Sequence, residues 1–126
     1  MTPVISEVES DCVATGISNI VGNKGGVGIS FKIASTRLLC ISSHLAAGHH
    51  KIEKRNEDWM KIYRRLALKL KDDSSSKNKV TLANESTPLY DGIIWLGDFN
   101  YRINGVAGAI QCAMEKNMYE VLLHND

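Results

Sequence analysis

The spacing of apolar residues changes period along the chain, and each change marks an element. Val27, Ile29, Phe31 and Ile33 alternate with small or polar residues, and a period of two predicts a strand with these four on one face. Cys12 to Ile20 reads as a strand before it, with Thr15 and Ile17 as β-favouring members. Arg37 to Ser43 reads as a third, through Leu38, Leu39 and Ile41. The segment from Gly22 to Gly26 forms a turn, because Asn23 and its glycines tolerate positive φ. A β-meander is the simplest assembly of the three. Residues 1–11 are polar and acidic without a clear period and read as a ragged lead-in.

From Ile52 to Leu70 the period becomes helical. Ile52, Trp59, Tyr63, Leu66 and Leu70 form one apolar stripe, which predicts a core-facing helix. Lys54, Arg55, Glu57, Asp58, Lys61, Arg64 and Arg65 fall mostly on its other faces. Residues 71–91 are rich in Ser, Asn and Lys and read as a long solvated loop. Ile93 to Leu96 is a short apolar run that reads as a buried strand. Val106 to Met114 is Ala-rich and helix-prone, and Tyr119 to Leu123 continues in an amphipathic way. Neither an internal repeat nor a second domain is visible.

The end of the Ile93 run carries the chemistry. Gly97 breaks it, and Asp98, Asn100 and Arg102 follow at alternate positions. On an extended backbone these three side chains project together. A carboxylate, a carboxamide and a guanidinium in one place suit a phosphate-like anion. A polar turn capped by Asp98 and Asn100 is the plainer reading of the same residues.

Composition narrows the classes. A chain of 126 residues, 44% of them hydrophobic, fits one small domain. With 15 basic and 14 acidic residues there is no global field to attract nucleic acid or a membrane. Cys12, Cys40 and Cys112 lack metal-ligand spacing and sit in apolar contexts, which predicts buried thiols in a reducing compartment. No basic-then-apolar leader is visible, so a cytoplasmic protein is expected. The sequon at Asn84 is read as chance without such a leader.

Two phosphate-binding motifs are excluded. Lys24-Gly25-Gly26-Val27-Gly28 is similar to the deviant phosphate loop of partition-type ATPases. Ile29, however, stands where that loop needs Lys, and the pattern that follows is β. Neither Cys40 nor Cys112 begins the Cys-x5-Arg loop of thiol-dependent phosphatases.

The stretch from Trp95 to Ile103, Trp-Leu-Gly-Asp-Phe-Asn-Tyr-Arg-Ile, resembles the signature W-x-G-D-x-N-F/Y-R of the inositol polyphosphate 5-phosphatases. Two further blocks match in the family's order. One runs from Val13-Ala14-Thr15-Gly16 through Gly22 to Ile29; the other is Ser43-His44-Leu45-Ala46-Ala47 with Lys54 to Asp58. The Asn100-Tyr101-Arg102 extension favours these phosphatases over the nucleases of the same superfamily.

The resemblance implies an α/β fold, part of a four-layer sandwich of two mostly antiparallel sheets flanked by helices, as in deoxyribonuclease. Residues 1–126 would be the centre of that catalytic domain, truncated at both ends. The family's principal metal-ligand glutamate, its second signature and its late Ser-Asp-His segment have no counterpart here. By the same resemblance, Asp98 activates the attacking water, Asn100 orients it and His44 hydrogen-bonds the scissile phosphate. Asn23, Lys24, Tyr101 and Arg102 are substrate-binding candidates, and Arg55 and Asn56 support the site. His49 and His50 fall in a loop that is variable in the family, near its lipid-facing rim.

The implied activity is Mg²⁺-dependent hydrolysis of the 5-phosphate of a phosphoinositide headgroup or a soluble inositol polyphosphate. It would take place at the cytosolic face of a membrane, with peripheral contact and without nucleic acid. The isolated chain is expected to be inactive. The alternatives are a non-catalytic remnant that binds phosphoinositide or a partner, and a nuclease of the same superfamily.

Overall fold

The computed structural model describes residues 4–16, 23–69, 79–83 and 89–126. Strands β1 (Ile5–Ala14), β2 (Gly25–Ile33) and β3 (Thr36–His44) form the expected antiparallel meander. Helix α1 (Ile52–Arg65) follows, then the short antiparallel pair β4 (Ala67–Lys69) and β5 (Lys79–Thr81). Strand β6 (Gly92–Asp98) returns to the sheet and pairs with β3 in parallel, giving the order β1-β2-β3-β6. Helices α2 (Ala107–Glu115) and α3 (Tyr119–His124) close the chain and pack on one another.

The core lies between α1 and one face of the sheet. Leu39, Ile41, Leu45, Ile62 and Leu66 are almost wholly buried there, each contributing roughly 1.5–3 kcal/mol of burial. The helix sits close because β2 presents glycines to it. A Cβ on Gly26 would lie 2.8 Å from Ile62 Cγ2, and one on Gly28 would lie 2.5 Å from Leu66 Cδ2. Trp59 stacks between Tyr63 and Trp95, at centroid distances of 5.3 and 5.4 Å, and so ties α1 to β6.

The other face of the sheet is uncovered among the described residues. Val27 is 49% exposed, Ile29 44%, Ile94 52% and Leu96 48%. The more apolar face of β2 is therefore the bare one. Period alone cannot tell which face a helix will choose; the closeness allowed by glycine decides it. Ile93 to Leu96 is correspondingly an edge strand with much of its apolar surface open, not a buried one. Cys12 and Cys112 are exposed and Cys40 is part-buried, which corrects the expectation of buried thiols. Cys12 and Cys40 pair with Val27 and Ile29 and so lie on the bare face.

Three further expectations change. The first strand starts at Ile5 rather than Cys12 and ends at Ala14. A bulge between Ser6 and Glu9, with Glu7 at φ +51°, breaks the alternation and hides the strand from a period count. The helix stops at Arg65, where Leu66 turns extended and leads into β4. Within the expected loop 71–91, Lys79–Thr81 forms β5, and Leu82 and Tyr90 pack against the core. Residues 70–78 and 84–88, the sequon included, lie outside the described residues, as do 17–22. Helices α2 and α3 stand close to where they are expected, but neither contributes a buried residue.

Candidate active site

The site is a product of register. Strands β3 and β6 are parallel, so both end at the same edge of the sheet, and antiparallel β2 begins there. Gly25 pairs with His44, and His44 pairs with Asp98. Lys24, His44 and Asp98 are thereby set in a row across three strands. Lys24 Nζ hydrogen-bonds His44 Nε2, and the same nitrogen lies 3.4 Å from Asp98 Oδ2. In any one tautomer Nε2 can accept from Lys24 or donate to Asp98, but not both. The imidazole thus sits between a cation and an anion, and either end can be released by a ligand.

Gly97 makes this possible. Its φ is +127°, and a Cβ there would lie 2.0 Å from the Ser43 carbonyl oxygen. Only glycine allows β6 to pass β3 this closely and leave Asp98 at the rim, 62% exposed. Trp95 Nε1 donates to Ser43 Oγ at 3.0 Å and fixes the strand pair from below. A cavity of about 540 Å³ opens beside the row, lined by Asn23, Lys24, Ser42, His44, Gly97 and Asp98 among others.

Asn100 braces the loops rather than extending the strand. It adopts φ +58°, in the left-handed region that Asn tolerates. Its backbone N–H donates to Asp98 Oδ1 at 3.1 Å, and its Nδ2 donates to the Leu45 carbonyl at 3.0 Å. The Leu45 N–H in turn donates to the Asp98 carbonyl at 3.0 Å. The carboxylate is oriented by its neighbour, and the two loops are sewn together.

The same turn overturns one expectation. Asp98, Asn100 and Arg102 do not project as a set, because the backbone leaves the extended region at Asn100. Arg102 lines a different cavity, with His49 and His50. Asp98 meets His44 and Lys24 instead.

Behind the site, α1 holds both loops with charged groups. Arg55 is wholly buried and Asp58 is 1% exposed, although both fall off the apolar stripe that begins at Ile52. Arg55 Nη1 donates to the Gly48 carbonyl at 2.7 Å, and its guanidinium lies 5.2 Å from the Tyr101 ring centroid. The Tyr101 hydroxyl hydrogen-bonds Asn56 Oδ1. Asp58 Oδ2 accepts the Ala46 N–H at 3.1 Å, and Lys54 pairs with Oδ1 at 3.0 Å. That hydrogen bond to Asp58 is the chief reason why the Lys54 pKa is raised. Arg55 thus contacts the loop after β3 and, with Asn56, Tyr101 of the loop after β6. Asp58 is a supporting residue that motif matching does not mark. Its signal is in the sequence all the same, since Arg55, Asp58, Ile62 and Leu66 form a helical stripe of their own.

A hard divalent cation needs about six oxygen ligands. Among the described residues no group of three or more His, Cys, Asp or Glu side chains is placed to hold a metal. These residues do not make a cation site by themselves.

The whole chain, residues 1–126, matches the endonuclease/exonuclease/phosphatase family 2. It is 37% identical over 123 residues to the type II inositol 1,4,5-trisphosphate 5-phosphatase of Mus musculus, covering 97% of this chain and 12% of that protein. It is 39% identical over 125 residues to the phosphatidylinositol 3,4,5-trisphosphate 5-phosphatase 1 of Rattus norvegicus, covering 97% and 10%. The chain thus spans about a tenth of the length of these curated relatives.

Among solved structures it resembles the inositol polyphosphate 5-phosphatase domain of SPsynaptojanin, in complex with inositol (1,4)-bisphosphate and calcium ion. The TM-score is 0.78 at 30% identity, covering 98% of this chain and 32% of that one. The resemblance extends the sheet and helices seen here to a deoxyribonuclease-like α/β fold. The chain belongs to the endonuclease/exonuclease/phosphatase family 2, and the relatives named here are inositol polyphosphate and phosphoinositide 5-phosphatases.

Proposed function

We propose that this chain carries the central part of a Mg²⁺-dependent inositol polyphosphate 5-phosphatase, whose substrate is a phosphoinositide headgroup or a soluble inositol phosphate. The observation that carries the reading is the Lys24–His44–Asp98 row at the strand ends, beside a cavity of about 540 Å³. In this reading a phosphate takes the place between Lys24 and His44. The ammonium and an imidazole N–H then stabilise charge on the phosphoryl oxygens as it develops. Asp98 accepts a proton from the attacking water, and Asn100 keeps that carboxylate aimed. The new bond joins the water oxygen to phosphorus; the phosphorus–oxygen bond to the inositol breaks, and the alkoxide takes a proton from solvent. No residue becomes phosphorylated. A divalent ion beside Asp98 and Asn100 would supply Lewis acidity, but the described residues alone do not complete its site.

The described residues hold only part of the constellation, and residues that act as a unit fail together. The isolated chain therefore binds substrate without appreciable turnover. Its place in the cell, in this reading, is the cytosolic face of a membrane, as a peripheral protein.

Titration calorimetry with inositol 1,4,5-trisphosphate and with an abasic DNA duplex, each in Mg²⁺, tests the reading. Phosphate release is followed in parallel. The expected result is saturable binding of the trisphosphate alone, with release at the buffer level. Binding of the duplex alone would transfer the chain to the nuclease reading. Release abolished by Asp98→Ala would overturn the claim of inactivity.

A further inference from the structure

Helix α1 turns one stripe to the core and carries a second, ordered stripe on its opposite side. Glu53, Glu57, Met60 and Arg64 are all exposed and follow one another at spacings of four, three and four. That is the seam spacing of a helix that packs along another helix. The four line a groove of about 720 Å³ on the outer side of α1, flanked by Asn56 and Lys61. Met60, near its middle, leaves 37% of its surface open.

The charges along this seam are sorted. Both glutamates stand toward the start of the helix, and Lys61, Arg64 and Arg65 toward its end. The helix dipole favours that order but acts only on the terminal turns. Glu53 and Glu57, four residues apart on one face, repel each other. Lys54 reaches Glu57 at 3.4 Å, yet the Glu57 side chain stays 70% exposed. Cations brought from outside relieve that repulsion.

The spacing reads the same in both directions, so the stripe fits a copy of itself. A two-fold axis across the helix sets the two copies antiparallel and makes every contact reciprocal. With the axis midway between Asp58 and Trp59 in the sequence, Glu53 lies opposite the second copy's Arg64. Glu57 lies opposite its Met60, with its Lys61 alongside. Parallel pairing would instead set like charge against like.

We propose that the outer face of α1 is a self-complementary interface through which two copies of this chain pair antiparallel. The contact is one helix on another over about 20 Å, at the small end of specific interfaces. It is therefore weak, with half-association expected at roughly 10⁻⁴ M. The seam points away from the sheet, so both Lys24–His44–Asp98 rows stay open. The inference stands apart from the phosphatase reading.

Sedimentation velocity of the full 126-residue chain over a concentration series tests this, with two charge reversals, Arg64→Glu and Glu53→Arg. Either alone turns two attractions per dimer into repulsions and is expected to weaken self-association at least about tenfold. Mixed in equal amounts, the two variants pair with each other, because each supplies the charge that the other has lost. Raising salt from about 0.1 to about 1 M shortens the screening length from about 10 to about 3 Å and weakens the unaltered dimer. Circular dichroism checks that α1 survives each exposed change. If a reversal unfolds it, Met60→Glu breaks the centre of the seam instead.

A monomer at every concentration up to about 1 mM would overturn the proposal. So would association that neither reversal weakens, which would move the contact to the bare face of the sheet. Weakening by both reversals without recovery in the mixture would also overturn it, since the effect would then lie in overall charge and not in this register.

Discussion

His44 and Asp98 are direct partners in a parallel strand pair, and their side chains approach to 3.4 Å where the two strands end. The contact is set by backbone register, not by sequence proximity. A slip of one residue in β6 would turn Asp98 to the α1 side and dissolve the site. The close passage at Gly97 prevents that slip.

Binding and chemistry separate at this row. Lys24→Met removes a cation from the phosphate and is expected to weaken inositol 1,4,5-trisphosphate binding by about five- to twentyfold, as for one charge-assisted hydrogen bond. Asp98→Asn removes an anion from the same place, so binding stays level or tightens. Calorimetry on the two variants checks the pair of signs.

Arg55 is the buried support of both loops. Arg55→Met is expected to lower stability by about 1–3 kcal/mol, because the Gly48 carbonyl loses its charged donor. Arg55→Lys should not rescue it, since an ammonium cannot both reach Gly48 and lie flat on Tyr101. Urea unfolding of the three proteins measures this.

Two glycines make opposite forecasts. Gly97→Ala places a Cβ against the Ser43 carbonyl at a positive φ and should cost more than about 3 kcal/mol or prevent folding. Gly108 lies in α2, and a Cβ there would meet nothing within 4 Å. Gly108→Ala should therefore stabilise by up to about 1 kcal/mol. Thermal melts of both variants decide it.

Alkaline pH should loosen the fold. Burial raises the Tyr90 pKa above its ordinary 10.0, partly offset by its hydrogen bond with Ser30 and the charge of Arg37. A group whose folded pKa is raised keeps its contribution below the unfolded value and loses it as pH climbs through the folded one. Stability is expected to fall above about pH 10, with Lys54 acting in the same direction. Tyr90→Phe should remove the tyrosine's share of that slope, read from unfolding midpoints between pH 8 and 11.

The meander and the two closing helices are legible in the sequence because their patterns are local: β2 alternates cleanly, and α2 is rich in helix formers. The start of β1 is not, because the bulge at Ser6–Glu9 breaks its period. The parallel return of β6 beside β3 joins residues more than 50 positions apart, and no local pattern announces it. The motif resemblance singles out His44, Asp98 and Lys24, which the structure brings together, whereas extended-strand reasoning groups Asp98 with Arg102, which lines a different cavity. Arg55 and Asp58 fall off the predicted apolar stripe, and charge usually marks a wet face. Here the backbone groups of Ala46 and Gly48 supply the partners that let them be buried.

The most direct test of the central claim is a ¹⁵N chemical-shift map of the chain with inositol 1,4,5-trisphosphate. Saturable shifts at Lys24, His44 and Asn100, lost in Lys24→Met, are the predicted result. A ligand that leaves these three residues unmoved would contradict the account.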